Sequence, residues 1–260
     1  VQVPFPDGYK NDDTSFELFL KSLKNLKVKP EEIAGFLTES YQGVGPDFLP
    51  HDYAQSLQTF CTQYDIVLIF DEIQAGFGRT GKMFTYEHYD VKPDLIACGK
   101  GISSSLPISA VIGRSDIMGL YSPGSMTSTH SASPLPVIAA IENLKIIRKE
   151  NLPRRAAEME KILMPGLARI REKYSAALGC LHGKGLVAGI QVVRKGTKEP
   201  DSETALSINE KCFQKGLLMF APVGIGGECI KITPPLTIHE DALIESIGVL
   251  EEACDEVLAK

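Results

Sequence analysis

IVLIFDE, at residues 66–72, is the stretch that decides the fold. Five apolar residues in a row are typical of a strand buried on both faces, as in parallel sheets, and Asp71 closes the run. Residues 33–39, 94–98 and 108–112 predict three further strands. Helical patterns at residues 52–64 and 134–149 alternate with these strands, so residues 1–150 are predicted to form a parallel α/β layer.

The pattern changes after residue 150. A long amphipathic helix is predicted first, and Gly216 is expected to end a second helix. The predicted elements are, in chain order, a helix at 153–174, a strand at 185–193, a helix at 202–215, strands at 217–221 and 228–233, and a helix at 240–259. This order predicts a smaller α+β domain over residues 151–260, beside an α/β domain over residues 1–150.

Composition excludes several classes of protein. The 260 residues are 43% hydrophobic and 23% charged, which is typical of globular domains and not of disordered or collagenous chains. The net charge of -6 argues against a nucleic-acid partner, and no run of 18 apolar residues predicts a membrane span. The six cysteines and five histidines lack zinc-site spacing, so we expect no metal and a reducing, cytoplasmic location.

A nucleotide triphosphatase is one alternative for the region after the first strand. Residues 76–82, GFGRTGK, fit the GxxxxGK pattern, and residues 66–72 fit a Walker B strand. However, Met83 has no hydroxyl group to hold magnesium, and a phosphate loop should come before the acidic strand. The sequence therefore disfavours this function.

An acid and a lysine follow neighbouring predicted strands. Asp71 closes the first strand, and Lys100 follows the strand at 94–98, between Gly99 and Gly101. Because functional side chains collect at the carboxyl ends of parallel strands, we expect both at one rim of the sheet. A structural ion pair accounts for them equally well at this point. Pyridoxal phosphate chemistry also needs such a pair, a lysine for the Schiff base and an acid for the pyridine nitrogen.

The residues around this pair resemble one enzyme family. IFDEIQAGFGRTGKM at 69–83, YEHYDVKPDLIACGKGI at 86–102 and LPISAVIGR at 106–114 resemble class III aminotransferases, the ornithine and 4-aminobutyrate group. The likeness covers essentially the whole chain and is strongest over 35–150. It implies an α/β protein of fold type I of the pyridoxal-phosphate-dependent transferases. Residues 1–150 would be the C-terminal part of the large domain, and 151–260 the small α+β domain.

The resemblance implies roles for individual residues. Asp71 would bind the pyridine nitrogen of pyridoxal 5'-phosphate, Gln74 its phenolic oxygen, and Lys100 would form the internal aldimine. Ser128 and Thr129 resemble the segment whose threonine contacts the cofactor phosphate of the neighbouring subunit. The resemblance therefore implies a homodimer, or a higher oligomer, with active sites between subunits.

Two departures from the family concern the substrate. The family motif EPxQGE appears as ESYQGV at residues 39–44, so Glu39 is retained and the last glutamate is Val44. The arginine that pairs with that glutamate in the family is replaced by Lys231, just before PPL. A lysine does not reproduce the bidentate fork of a guanidinium group. Our hypothesis is that the co-substrate is recognised differently, with Glu39 and Lys231 as substrate-binding residues and Lys231 holding an anion more loosely.

The family comparison also predicts an incomplete enzyme. Family members are longer, and the first residue here is Val1 rather than Met. The phosphate-binding loop and the aromatic ring that stacks on the cofactor are expected in an N-terminal portion of the same enzyme. That portion is therefore a predicted partner of these residues.

The sequence thus predicts a transaminase that moves an amino group from a primary amine or amino acid to a keto or aldehyde acceptor. A decarboxylase, an epimerase or an aminomutase of the same fold would use the same residues. The reaction depends on which bond to Cα stands perpendicular to the cofactor ring. A non-catalytic fragment that needs its N-terminal half is the alternative from another class.

Overall fold

The computed structural model describes residues 1–259, and the chain divides into two compact units. The first unit contains Val1–Ser40, Leu49–Gly78 and Lys82–Asn151. The second contains Tyr41–Phe48, Arg79–Gly81 and the chain from Leu152 onward. Residues 41–48 and 79–81 thus pack with the second unit, although the sequence domains placed them in the first. Contacts between residues distant in the sequence decide this membership, and a local pattern does not reveal them.

The first unit is built on a four-stranded sheet in the order β1-β2-β3-β4. Strands β1, β2 and β3 are parallel, as predicted, but β4 runs antiparallel to β3. Only the 11 residues 99–109 join β3 to β4, and a parallel crossover needs about a dozen or more. The strands are β1 Gly35–Glu39, β2 Val67–Asp71, β3 Leu95–Cys98 and β4 Ala110–Gly113.

Helices cover the sheet of the first unit. Helix α1 was not predicted, although its apolar residues recur at helical spacing. Its Phe19 packs with Leu57 and Phe60 of α2 and with Leu68 and Phe70 of β2 in one core. The helices are α1 Phe16–Asn25, α2 His51–Gln63, α3 Ser115–Met118 and α4 Pro134–Lys149, with 3-10 turns at Pro30–Glu32, Thr85–Tyr89 and Lys100–Ile102.

The second unit is a three-stranded antiparallel sheet with three helices. Helices α5, α6 and α7 contribute to a continuous apolar core with the sheet. The strand order is β5-β6-β7. The elements are α5 Leu152–Lys173, β5 Leu178–Lys184, β6 Val187–Val192, α6 Ser202–Gln214, β7 Cys229–Ile232 and α7 Glu240–Leu258.

In the second unit, one strand was missed and one predicted strand is absent. The strand predicted at 185–193 is present as β6, but the sequence did not predict β5, which forms a hairpin with β6 that turns at Gly185. Strand β5 contains two glycines, which have low strand propensity, so its pairing comes from tertiary contacts. Residues 217–221 form no strand, because Pro222 lacks an N–H donor and Val223 makes only a single bridge to Cys229.

Within residues 1–259, no helix combines the length and the apolar character that crossing a bilayer requires.

Candidate active site

The carboxyl ends of the three parallel strands carry the predicted rim residues. Asp71 is the last residue of β2 and lies opposite Ala97 of β3 in the strand register. Lys100 begins the turn that follows β3. Glu39 ends β1 and pairs in register with Asp71. The first unit therefore places Glu39, Asp71 and Lys100 at the ends of neighbouring strands.

Asp71 presents one carboxylate oxygen that the protein does not use. Its Oδ1 accepts a hydrogen bond from the backbone N–H of Ile73 at 2.8 Å, which fixes the orientation of the carboxylate. Its Oδ2 makes no hydrogen bond to any residue of the described chain. The half-buried side chain is thus oriented and still has an acceptor for a positively charged donor.

Lys100 has an unusual backbone conformation. Its φ of 37° lies in the left-handed region, which is uncommon for a residue with a side chain and clusters at functional sites. The side chain itself is exposed. Asn143 of α4 holds the turn, because its Nδ2 donates to the carbonyl oxygens of Gly101 at 2.8 Å and Ile102 at 3.1 Å.

The glycines beside Lys100 allow close packing of the turn. A Cβ atom on Gly99 would lie 3.1 Å from Cγ2 of Ile73. One on Gly101 would lie 3.3 Å from Cβ of Phe77. Since Ile73 and Phe77 belong to the segment after Asp71, the two glycines let the lysine turn approach the aspartate segment closely.

Glu72 supports this segment, and sequence analysis assigned it no role. The side chain is fully buried and accepts hydrogen bonds from the Ser40 hydroxyl and from the backbone N–H groups of Thr85, at 2.9 Å, and Tyr86, at 2.8 Å. Burial raises the pKa of this carboxyl group above its usual range. Glu72 ties the ends of β1 and β2 to the turn at Thr85–Tyr89. The sequence offered one signal for this role, a second acidic residue directly after the apolar run.

The remaining predicted cofactor residues also belong to the first unit. Gln74 is half-buried in the segment that follows β2. Ser128 and Thr129 are exposed in the turn before α4, where the Ser128 hydroxyl lies 2.6 Å from that of Ser131. Within the described chain, neither of these two residues has a bond to Asp71 or Lys100.

Lys231 belongs to the second unit, on β7. Its Nζ donates to the carbonyl oxygen of Gly43 at 2.5 Å and lies 5.7 Å from the centroid of the Tyr41 ring. The neighbouring Val44 is 48% exposed. The lysine amine is thus engaged by the segment that carries the altered family motif.

No group of three or more His, Cys, Asp or Glu side chains among residues 1–259 is arranged to hold a metal ion. The available chemistry is that of an amine, a carboxylate and hydrogen-bonding groups at the ends of parallel strands.

Comparisons with known proteins agree with the resemblance. The model of the aminotransferase class-III family matches residues 1–254. An alanine/serine racemase from Pyrococcus horikoshii is 34% identical, over 98% of this chain and 56% of the relative. A probable 4-aminobutyrate aminotransferase from Bacillus subtilis is 34% identical, over 96% of this chain and 59% of the relative.

A solved structure extends the comparison to three dimensions. An aminotransferase from Bacillus anthracis superposes with a TM-score of 0.86 at 32% identity, over 98% of this chain and 61% of that one. The predicted fold type I of the pyridoxal-phosphate-dependent transferases is thereby confirmed. The chain spans less than two thirds of the length of each of these proteins. With a family model matched along almost its whole length, the chain belongs to the class III aminotransferases.

Proposed function

We propose that the protein is a pyridoxal-phosphate-dependent aminotransferase. The observation that carries the proposal is the placement of Asp71 and Lys100 at the carboxyl ends of adjacent parallel strands. Ligands of open α/β sheets bind at such strand ends. Family membership over residues 1–254 supports the same activity.

The residues at this rim fit the cofactor. Oδ2 of Asp71 is open to a charged donor, and Lys100 exposes its amine from a turn with a left-handed backbone. When bound, pyridoxal phosphate supplies an aldehyde to which amines attach and a ring that withdraws electrons from the neighbouring carbon. Asp71, Gln74 and Lys100 would hold the ring end, and Ser128 and Thr129 would hold the phosphate of the cofactor in the neighbouring subunit.

Each of these side chains has a defined task. The amine of Lys100 would bind the cofactor aldehyde, and its Nζ would carry a proton to or from the substrate Cα. The carboxylate of Asp71 would accept a hydrogen bond from the ring nitrogen and favour its protonated form. Gln74 would donate a hydrogen bond to the phenolic oxygen and orient the ring.

The complete protein requires more than these residues. We propose that an N-terminal portion supplies the phosphate-binding loop and the stacking ring. We assign residues 1–150 to the large cofactor-binding domain and residues 151–260 to the small domain.

We also propose a homodimer, because large apolar side chains are exposed around Thr129, with Leu120 at 76% and Met126 at 78%. We propose a cytoplasmic location, because the six cysteines are free thiols, as is typical of a reducing compartment.

The acceptor is proposed to differ from 2-oxoglutarate. Val44 and Lys231 replace both members of the glutamate–arginine pair that the family uses for dicarboxylate substrates. The resemblance implies Glu39 and Lys231 as substrate-binding residues. Because neither residue offers the bidentate fork of a guanidinium group, we expect weaker selection for a second carboxylate.

Racemisation is the second candidate function. The alanine/serine racemase from Pyrococcus horikoshii is among the relatives that match almost the whole chain. A racemase removes and returns a proton at the same Cα and needs no second substrate, so the loss of the arginine would not impair it. Lys100 would serve this reaction with the same amine.

An assay of the complete protein with pyridoxal phosphate tests these functions. A panel of amino acids and amines is offered with keto-acid and aldehyde acceptors, and amino transfer, released carbon dioxide and change of chirality are measured in each mixture. Amino transfer supports the aminotransferase. Inversion of chirality without an acceptor supports the racemase. The absence of both activities would contradict both proposed functions. Efficient turnover of ornithine or 4-aminobutyrate with 2-oxoglutarate would overturn the proposed acceptor preference.

A further inference from the structure

The Tyr41–Phe48 loop is attached to the sheet of the second unit, although it follows β1 in the chain. Nδ1 of His182, on β5, lies 2.8 Å from Oδ1 of Asp47. On β6, Gly189 faces Pro46, and a Cβ atom on this glycine would lie 2.5 Å from Cδ of the proline. Any larger residue at position 189 would displace the loop. The second half of the loop is therefore held by two of the three strands.

Lys231 holds the first half of the same loop from β7. Its Nζ donates to the Gly43 carbonyl at 2.5 Å and approaches the face of the Tyr41 ring. The side chain is only 8% exposed. A buried ammonium group loses its hydration, and hydrogen bonds and aromatic faces must replace that water. The ammonium group therefore favours the loop conformation that supplies both partners.

The chain enters this loop directly from the rim of the candidate site. Ser40 precedes Tyr41, its backbone N–H donates to the Asp71 carbonyl oxygen at 3.4 Å, and its hydroxyl donates to Glu72. Because Ser40 and Tyr41 share a peptide bond, the conformation of the loop constrains the end of β1.

We propose that Lys231 is a positioning residue that fixes the Tyr41–Phe48 loop through the Gly43 carbonyl, rather than a group that touches the substrate. The contact between His182 and Asp47 is the second clamp on this loop. The kinetic part of the proposal rests on the proposed aminotransferase function, whereas the structural part does not. The proposal replaces the direct substrate contact that the resemblance implies for Lys231.

Amide hydrogen exchange of the complete protein tests the structural part. The reporters are the N–H groups of Gln42, which donates to Asp47 O at 2.9 Å, and Gly45, which donates to Gln42 O at 3.3 Å. Lys231→Met should accelerate their exchange about tenfold, because a hydrogen bond from a charged donor is lost. Lys231→Arg, which keeps a charged donor, should restore slow exchange.

The matched control is Lys161→Met, because Lys161 is an exposed lysine of the same unit. It should leave the exchange of residues 41–48 unchanged. Unchanged exchange in Lys231→Met itself would overturn the proposal, whether or not the protein has any transaminase activity.

A kinetic comparison separates positioning from direct contact. Acceptor saturation is measured with a keto acid and with an aldehyde that has no carboxylate. If Lys231 acts through the loop, Lys231→Met lowers kcat/KM by a similar factor for both acceptors, and Lys231→Arg restores both. A rise in KM confined to the keto acid would show direct anion binding and contradict the proposal. An inactive wild-type protein would refute the proposed function, and exchange would still decide the role of Lys231.

A double variant tests whether the two clamps act on one loop. Asp47→Ala removes the contact to His182, and combining it with Lys231→Met should accelerate exchange by less than the product of the two single effects. Residues that hold the same segment are energetically coupled. A combined effect equal to that product would show two independent contacts and overturn the assignment of a single positioned loop.

Discussion

Lys100 combines an exposed amine with a strained backbone, and several neighbours impose that backbone. Gly99 and Gly101 let the turn pack closely on the segment that follows Asp71, and Asn143 holds two of its carbonyl oxygens. A left-handed non-glycine residue persists only where surrounding contacts over-determine it. The chain thus holds one lysine in a costly conformation at the end of β3.

The role of Lys100 leads to a spectroscopic prediction. Lys100→Ala should abolish the visible absorbance band of the complete protein with pyridoxal phosphate, because the band requires the covalent link to the lysine amine. Lys92→Ala is the matched control, since Lys92 is an exposed lysine of the same unit, and it should retain the band. A band that survives in Lys100→Ala would remove this lysine from its proposed role.

Glu72 leads to a stability prediction. Its carboxylate accepts backbone hydrogen bonds from Thr85 and Tyr86 in a buried environment. Glu72→Gln presents an amide NH₂ to one of these donors, and leaving a buried donor without an acceptor should lower the free energy of unfolding by about 1–3 kcal/mol. Denaturant unfolding measures the change.

The control for Glu72 is Glu87→Gln. Glu87 accepts one backbone N–H, from Phe84 at 2.8 Å, and is partly exposed. A glutamine oxygen can accept this bond while its NH₂ group faces water, so the change should stay within about 0.5 kcal/mol. Equal losses in the two variants would show that burial of Glu72 is not the cause.

At the scale of elements, α7 is tied to its neighbouring helices by ion pairs. Glu251 pairs with Arg169 at 2.8 Å, and Asp255 pairs with Lys173 at 2.7 Å. Glu256 pairs with Lys215 of the segment after α6 at 2.9 Å. Hydrogen bonds from these cations hold the pKa of each carboxyl group below its usual range. Because the side chains of these carboxyl groups are partly exposed to solvent, salt screens the pairs.

These shifts predict how folding stability depends on pH. A carboxyl group with a lowered pKa in the folded state binds fewer protons when folded than when unfolded. It therefore stabilises the folded state fully at pH values above its ordinary, unfolded-state pKa. That stabilisation disappears as the pH falls through the lowered pKa. As the pH is lowered, the free energy of unfolding should therefore fall less steeply in Glu256→Gln than in the wild type. Denaturant unfolding curves at a series of pH values measure this slope.

The matched control for this prediction is Glu245→Gln, on an exposed position of the same helix. It should keep the wild-type slope of stability against pH. If both variants change the slope equally, general loss of negative charge rather than the pairing of Glu256 would explain the effect.

At the scale of the whole molecule, the exposed segment around Thr129 predicts self-association. Leu120 and Met126 are exposed apolar residues in the same unit as the candidate site. Leu120→Asp should convert a dimer of the complete protein to a monomer in sedimentation velocity, since a buried charge in an apolar interface is costly. Circular dichroism confirms that the variant is folded.

Leu206→Asp is the control for self-association. Leu206 is an exposed apolar residue of α6, in the second unit. The control should remain dimeric, and a monomeric wild-type protein would contradict the proposed homodimer.

The sequence predicted the parallel strands and most helices, because their apolar patterns are local and continuous. Helix α4 begins and ends where its pattern predicts, at Pro134 and Lys149. The predictions failed at β5, where two glycines weaken the strand pattern, and at residues 217–221, which form no strand. The antiparallel direction of β4 follows from the short connection between β3 and β4. The length of this connection was available from the predicted strand ends.

The order of strands in the sequence was sufficient to place Asp71 and Lys100 at strand ends, and the resemblance of the residues around them indicated the family. Only the tertiary structure revealed three hydrogen-bonded contacts. Glu72 accepts a hydrogen bond from Tyr86, Asn143 donates to the turn that begins at Lys100, and Lys231 donates to the Tyr41–Phe48 loop. The physical reason is the range of the interactions involved. Strand formation at these positions follows from local patterns of apolar and polar residues, whereas a buried cation or carboxylate is satisfied by backbone groups that only folding brings to it.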